Sequence, residues 1–228
     1  MNALRRTLSR LCINRSGMAL VEFALSLPFI VIVTMTAAEL ANFTTTKMRI
    51  SQLALMVADN ASRIGTGTVL SNKTISEKQI NDLLAGANLQ AGKLGLFADG
   101  RVIIRSLQPA TVANKYIVKW QRCKGMKSTE LGSYFNEDSG STATERNDDT
   151  TLATNPFKVK PPANGAVMFV EIVYSYQPLI GPNFVKIPTI RETAAMTVRD
   201  NRDYTGGTKG IYNTEGVTAA SCSTFSAT

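Results

Sequence analysis

"NRSGMALVEFALSLPFIVIV", residues 14–33, leads from a basic approach into an apolar run and sets one carboxylate, Glu22, at its mouth. Arg5, Arg6, Arg10 and Arg15 precede Gly17, and no acid does. From Met18 to Phe43 the chain is apolar apart from Glu22, Glu39 and a few uncharged polar side chains. As a helix this stretch would be about 39 Å long, enough to cross a bilayer. Its charge-free part, Phe23 to Ala38, spans roughly 24 Å, which would leave Glu22 and Glu39 near the two interfaces. The arginines in front predict a single pass with the N-terminus in the cytoplasm. The chain then divides into a basic leader (1–17), a transmembrane helix (18–43) and an exported domain (44–228).

A cleavable secretory signal is the competing reading, with Thr36-Ala37-Ala38 as a small-residue cut site. Its apolar region would be long, entered by a glutamate and interrupted by Pro28. No cysteine follows the run in a lipobox arrangement. Pro28 cannot donate to Ala24, and its ring crowds that turn, so a helix should kink or loosen there. A membrane proline that is simply tolerated is the alternative.

Glu22 is costly in this place. A carboxylate drawn toward a bilayer costs about 2.5–3.5 kcal/mol on insertion scales, and such residues usually have a partner. If the chain were cut after Gly17, the new amine of Met18 would lie one helical turn from Glu22. In a bundle of such helices, the amine of one chain would meet Glu22 of the next. That arrangement gives both the glycine and the glutamate a purpose.

At this point the residues resemble a known family. A basic leader, Gly17, four residues, Glu22 and an apolar helix look like the processing site of type IV prepilins and pseudopilins. The longer string "RSGMALVEFALSLPFIVIV" resembles the TadE-like pseudopilins of the tight adherence (Flp) pilus system, in which "G-x-x-x-VEFAL-x-x-P" is a common opening. Gly17, Val21, Glu22, Phe23, Ala24, Leu25 and Pro28 match it. The likeness is strong over residues 15–60 and weaker beyond, where "VKWQRCKG" (118–125) and "VYSYQPL" (173–179) carry it with less specificity. Phe23, not Tyr, follows the glutamate, which suits TadE-like proteins better than the main Flp subunit. The resemblance implies cleavage between Gly17 and Met18 by a prepilin peptidase, and Glu22 with Phe23 as assembly determinants. It also implies contacts with other pilins and pseudopilins and with the inner-membrane pilus assembly platform.

Composition is that of a folded protein, at 44% hydrophobic and 18% charged residues. The net charge of +8 invites a nucleic-acid reading. Once the leader is set aside, only 21 basic residues face the 17 acidic ones. No dense basic patch with interleaved aromatics remains, which argues against nucleic acid as a partner. The chain has no histidine, which removes the commonest general base and most zinc sites. "GANLQAGKL" (86–94) has the wrong glycine spacing for a phosphate loop and Leu94 in place of the hydroxyl. "DNRDYTGG" (200–207) lacks the closing glutamate of a calcium loop. No cofactor is expected. Cys12 lies in the leader, so Cys123 and Cys222 are the natural disulfide if the domain is exported. Two separate buried thiols are the alternative.

Past the membrane the helical pattern continues. One helix is predicted from about Ala19 to Ile64, stopped by Gly65 and Gly67. Its expected stripe is broad, with Met48, Leu55, Val57, Ala61 and Ile64 around Leu53 and Met56. A second helix is predicted in "TISEKQINDLLAG" (74–86). Ser76 would be its N-cap, Gln79 would complete a capping box, Ile75 and Ile80 would form the staple, and Gly86 would end it. The period then changes to two. Val102 and Ile104 mark one face of a strand at 101–106, and Tyr116, Val118 and Trp120 one face at 115–122. Met168, Val170, Ile172, Tyr174 and Tyr176 do so at 167–177, and Ala194, Met196 and Val198 at 190–199. Four strands, each with one apolar face, predict an antiparallel sheet covering the long helix, with its other face mixed or wet. The segment 136–155 reads as a mobile polar loop. The fold class expected is α+β, pilin-like in outline.

Together these readings predict a membrane-anchored minor pseudopilin of the bacterial inner membrane, a substrate of an enzyme and not itself an enzyme. The alternatives are a signal-anchored periplasmic binding domain unrelated to pili and, weakened by the missing catalytic set, an exported enzyme.

Overall fold

A computed structural model describes residues 16–68, 71–109, 115–127, 146–147, 159–181 and 188–227. The loop expected at 136–155 lies outside the described residues except for Arg146 and Asn147. The fold is α+β. Helix α1 (Ser16–Arg63) is followed by β1 (Ile75–Ser76), α2 (Glu77–Ala91), a single 3-10 turn and the short α3 (Leu96–Asp99). The strands β2 (Gly100–Pro109), β3 (Lys115–Lys124), β4 (Arg146–Asn147), β5 (Val167–Ser175) and β6 (Thr189–Thr197) come next, and β7 (Ile211–Tyr212) closes the order. The main sheet runs β4-β3-β2-β5-β6, every pair antiparallel; β1 and β7 form a small parallel pair. Four long strands carry the main sheet, and β4 adds two residues at its edge.

The sheet faces α1 and α2 across one core. From α1, Ile50, Leu53, Ala54, Val57, Ala58 and Ala61 are buried at spacings of three and four. They meet Val102, Ile104, Trp120, Met168, Val170, Ile172, Tyr174, Tyr176, Ala194 and Val198 from the sheet. The alternation read in β2, β5 and β6 therefore places the correct residues inward. The stripe on α1 is narrower than expected: Met48, Leu55 and Met56 are about half exposed. A flat sheet can cover only one side of a helix, so apolar residues on its flanks stay out. Gly65 and Gly67 follow the last turn, and Gly65 has φ +130°. Arg202 supplies a further stop by donating to the carbonyls of Ala61 and Ser62, which the helix end leaves unpaired.

At the start of α2, Ser76 accepts from the Gln79 amide at 3.3 Å while the Gln79 side chain accepts from Ser76 N–H at 3.0 Å. Ile75 and Ile80 are both buried. Gly86 does not end this helix. The buried stripe Ile80, Leu84, Ala87, Ala91 runs straight past it, and the stop is Gly92 with φ +57°. An interior glycine costs only about 1 kcal/mol against alanine, less than the burial that follows it.

One further expectation is corrected on the sheet. Ser106 pairs with Trp120 but Leu107 pairs with Val118, so Lys119 is an extra residue in a bulge. Trp120 thus faces the helices, while Val118 joins Leu107, Val167 and Phe169 in a separate cluster on the other face. The side chain of Tyr116 lies outside the described residues. That other face is mixed, one of the two outcomes expected, and its polar side chains are withdrawn from water. Arg101, Arg105, Gln121 and Glu171 are all buried on it. Glu171 accepts from Arg105 and from Arg191, each at 2.8 Å, which neutralises a carboxylate that could not otherwise be buried.

Candidate functional site

The residues singled out by sequence lie on the first half of α1. Every residue from Gly17 to Ala38 is exposed, although this is the most apolar stretch of the chain. Met18 is 67% and Phe23 58% exposed. The helix is long and apolar enough to cross a membrane, and none of its most apolar window is buried inside the protein. In water such a surface would be a large uncompensated cost; a bilayer or other apolar partner removes it. Gly17 is not required by the fold, because a Cβ there would meet no atom within 4 Å. Glu22 is exposed on the helix, and among the described residues it has no ion-pair partner. The helix runs through Pro28 without interruption. Thr34 and Thr36 fold their hydroxyls back onto the carbonyls of Ile30 and Ile32, so their polar groups are satisfied within the apolar stretch.

Contact with the domain begins at Glu39, where exposure drops to 8%. One carboxylate oxygen accepts from the Tyr176 hydroxyl at 2.5 Å. The other accepts from the backbone N–H groups of Leu179 and Ile180 at 2.9 and 3.1 Å. Asn42, one turn on, donates to the same Tyr176 oxygen at 2.6 Å, and the Phe43 ring meets Tyr176 edge-on at 5.2 Å. Burial, and then the nearby carboxylate, push the Tyr176 phenol above its ordinary pKa, so it stays a donor. Sequence reasoning placed Glu39 only as an interfacial charge. The signal available was a lone acid closing a long apolar run; its partners are nearly 140 residues away and nothing local announces them.

Cys123 and Cys222 form a disulfide with Cα atoms 4.7 Å apart. The bond holds the C-terminal tail against the far face of the sheet, where Arg101 donates to the carbonyls of Gly125, Cys222 and Thr224 and lies over the Phe225 ring. In the segment that sequence weighed for calcium, Asp203 is engaged by protein. Its carboxylate accepts from the Tyr212 hydroxyl, from Thr205 N–H and Oγ1, and from Gly206 N–H. These bonds, that of Tyr212 first, hold its carboxyl far below the usual range. Among the described residues no group of three acids and cysteines is gathered to hold a metal.

No model of a known protein family matches the chain, and neither the curated proteins nor the solved structures provided a match.

Proposed function

We propose that the chain is a TadE-like pseudopilin, anchored by α1 in the bacterial inner membrane with its N-terminus cytoplasmic and its α+β domain periplasmic, and that it assists assembly of tight adherence (Flp) pili. In this reading it is a substrate and not an enzyme. A prepilin peptidase cuts between Gly17 and Met18. Glu22, with Phe23 beside it, pairs with the new Met18 amine of a neighbouring pilin or pseudopilin while the helices pack at the assembly platform. Pro28 loosens the helix where it must slide between lipid and that packing. The observation that carries the reading is a conjunction. A glycine that the fold does not require stands before an apolar stretch of helix exposed from Gly17 to Ala38, whose one acid has no ion-pair partner within the described residues. Residues without an internal role, placed at the spacing of a processing site, are best explained by something outside the chain.

Mass spectrometry of the mature N-terminus tests it. A start at Met18 supports the pseudopilin. An uncut leader supports a plain anchor, and a start at Glu39 a secretory signal. A second test uses a strain carrying only Glu22→Leu protein. Piliation should fail although the protein still inserts and is still cleaved; normal piliation would remove Glu22 from assembly.

The reading as a signal-anchored binding domain has one observation of its own. A cavity of about 510 Å³ lies between α2 and the C-terminal tail, lined by Leu84, Leu89, Phe97 and Ala220 among others. Full piliation in a strain lacking this protein would favour that reading.

A further inference from the structure

Where α1 meets the domain there is an apolar groove of about 320 Å³. Thr36, Leu40 and Phe43 form one wall; Tyr176, Ile180 and Pro188 form the other. Its position is unusual for a binding cavity. Thr36 belongs to the exposed apolar half of the helix, so the groove opens onto the surface that would lie in the membrane. Leu40 is 64% exposed at its side, and Leu179, in the loop strapped to Glu39, is 65% exposed. The carboxylate of Glu39 lines the groove, but its oxygens are taken by Tyr176, Leu179 and Ile180, which leaves the walls to carbon.

The helix wall has a direction as well as a composition. Thr36, Leu40, Phe43 and Lys47 follow one another at spacings of four, three and four, and therefore share a face. Lys47 is exposed about 6 Å beyond Phe43 on the side away from the apolar span. An apolar trough that starts at membrane depth and ends below a cation matches an acyl chain with an anionic head. We infer that this groove holds one acyl chain of an anionic phospholipid, whose phosphate lies against Lys47. The inference rests on the membrane anchoring proposed above.

The test uses the full chain in nanodiscs of phosphatidylglycerol carrying a photoreactive diazirine on the acyl chain, followed by peptide mapping. A seated lipid labels two places at once: the helix around Thr36–Leu40 and the loop at Leu179–Ile180. Ordinary surrounding lipid labels the helix alone. Leu40→Trp, which fills the trough from an exposed position, should cut labelling of the loop by about fivefold or more and leave labelling around Val33 unchanged. Lys47→Glu should lower it in phosphatidylglycerol and have little effect in phosphatidylcholine. Loop labelling no greater than that of the α2 segment around Leu89, or loop labelling indifferent to Leu40→Trp, overturns the inference. So does a loop that crosslinks to a second copy of the chain in place of lipid. Absence of label anywhere in 18–38 would instead overturn the anchoring itself, which keeps the two failures apart.

Discussion

Glu39 and Tyr176 are 137 positions apart in the chain and 2.5 Å apart in the fold. Their bond joins the last turn of the exposed apolar helix to the end of a central strand. Tyr176→Phe removes a buried hydrogen bond to a charged group while keeping the ring that packs on Phe43. The melting temperature of the domain should fall by roughly 3–6 °C. Amide exchange at Leu179 and Ile180 should rise more than exchange in β2, because the strap loosens before the core does. A uniform rise would show that the bond holds nothing in particular.

The bulge at Lys119 makes an asymmetric prediction. Deleting Lys119 leaves Ser106 opposite Trp120 and Leu107 opposite Val118, so every face is kept and the domain should stay folded. Deleting Val118 instead brings Lys119 opposite Leu107, beside Val167 and Phe169, where a cation has no place. That variant should lose about 2 kcal/mol or more in urea unfolding. Equal loss from both deletions would mean that the pairing across the bulge is misplaced.

Reduction of the Cys123–Cys222 bond opens a closure of 99 residues. In the chain-entropy treatment such a loop contributes up to about 4.7 kcal/mol, and measured gains are often smaller. Cys222→Ala should therefore lower stability by a few kcal/mol and release the tail, read as faster exchange at the Cys123 amide, which donates to Ala220. Full alkylation of both thiols in protein isolated without reductant would contradict the pairing.

Acid should loosen the segment that follows β6. Asp203 is held below its usual range by Tyr212, Thr205 and Gly206, and Asp200 is held below its own by Lys73. A carboxyl whose folded pKa is depressed gives stability that is complete above the unfolded value, near about 4. That stability is lost as the pH falls through the folded value. Protection of the Gly206 amide, taken relative to its intrinsic exchange rate at each pH, should stay high from pH 7 to about 4.5 and fall below about 4. In Asp203→Ala it should be low throughout. A wild-type profile that is flat down to pH 2 would show that these bonds do not hold the segment.

Elements whose instructions are local were legible in the sequence. The capping box at Ser76 and Gln79, the turn to period two after Gly100 and the inward faces of β2, β5 and β6 follow from neighbouring residues, and they recur in the fold. The exposure of the apolar half of α1 was legible too, since a run long and apolar enough to cross a bilayer was read as lying in lipid. The failures were failures of range. Gly86 is a helix stop by composition, but tertiary burial of Ala87 and Ala91 carries the helix through. The extra residue at Lys119 leaves no mark in the pattern, because Val118 and Trp120 are both apolar and suit either face. The outer face of the sheet read as mixed or wet; the burial of Arg101, Arg105, Gln121 and Glu171 on it was not legible, because partners come from Arg191 and the tail. Glu39 belongs to the same class: its position was visible, its partners were not.

The 48 residues of α1 contain no glycine after position 17, and the same rod that is bare at one end is core at the other. From Pro28 onward, anchor and domain are therefore one shaft, with no joint in between. The compass bearing of Val33 relative to the sheet is set by counting residues, about 100° for each. One residue inserted between Val33 and Thr34 would swing the whole domain by that angle around its own anchor. Every contact above and below the insertion would survive, and only their alignment with each other would be lost.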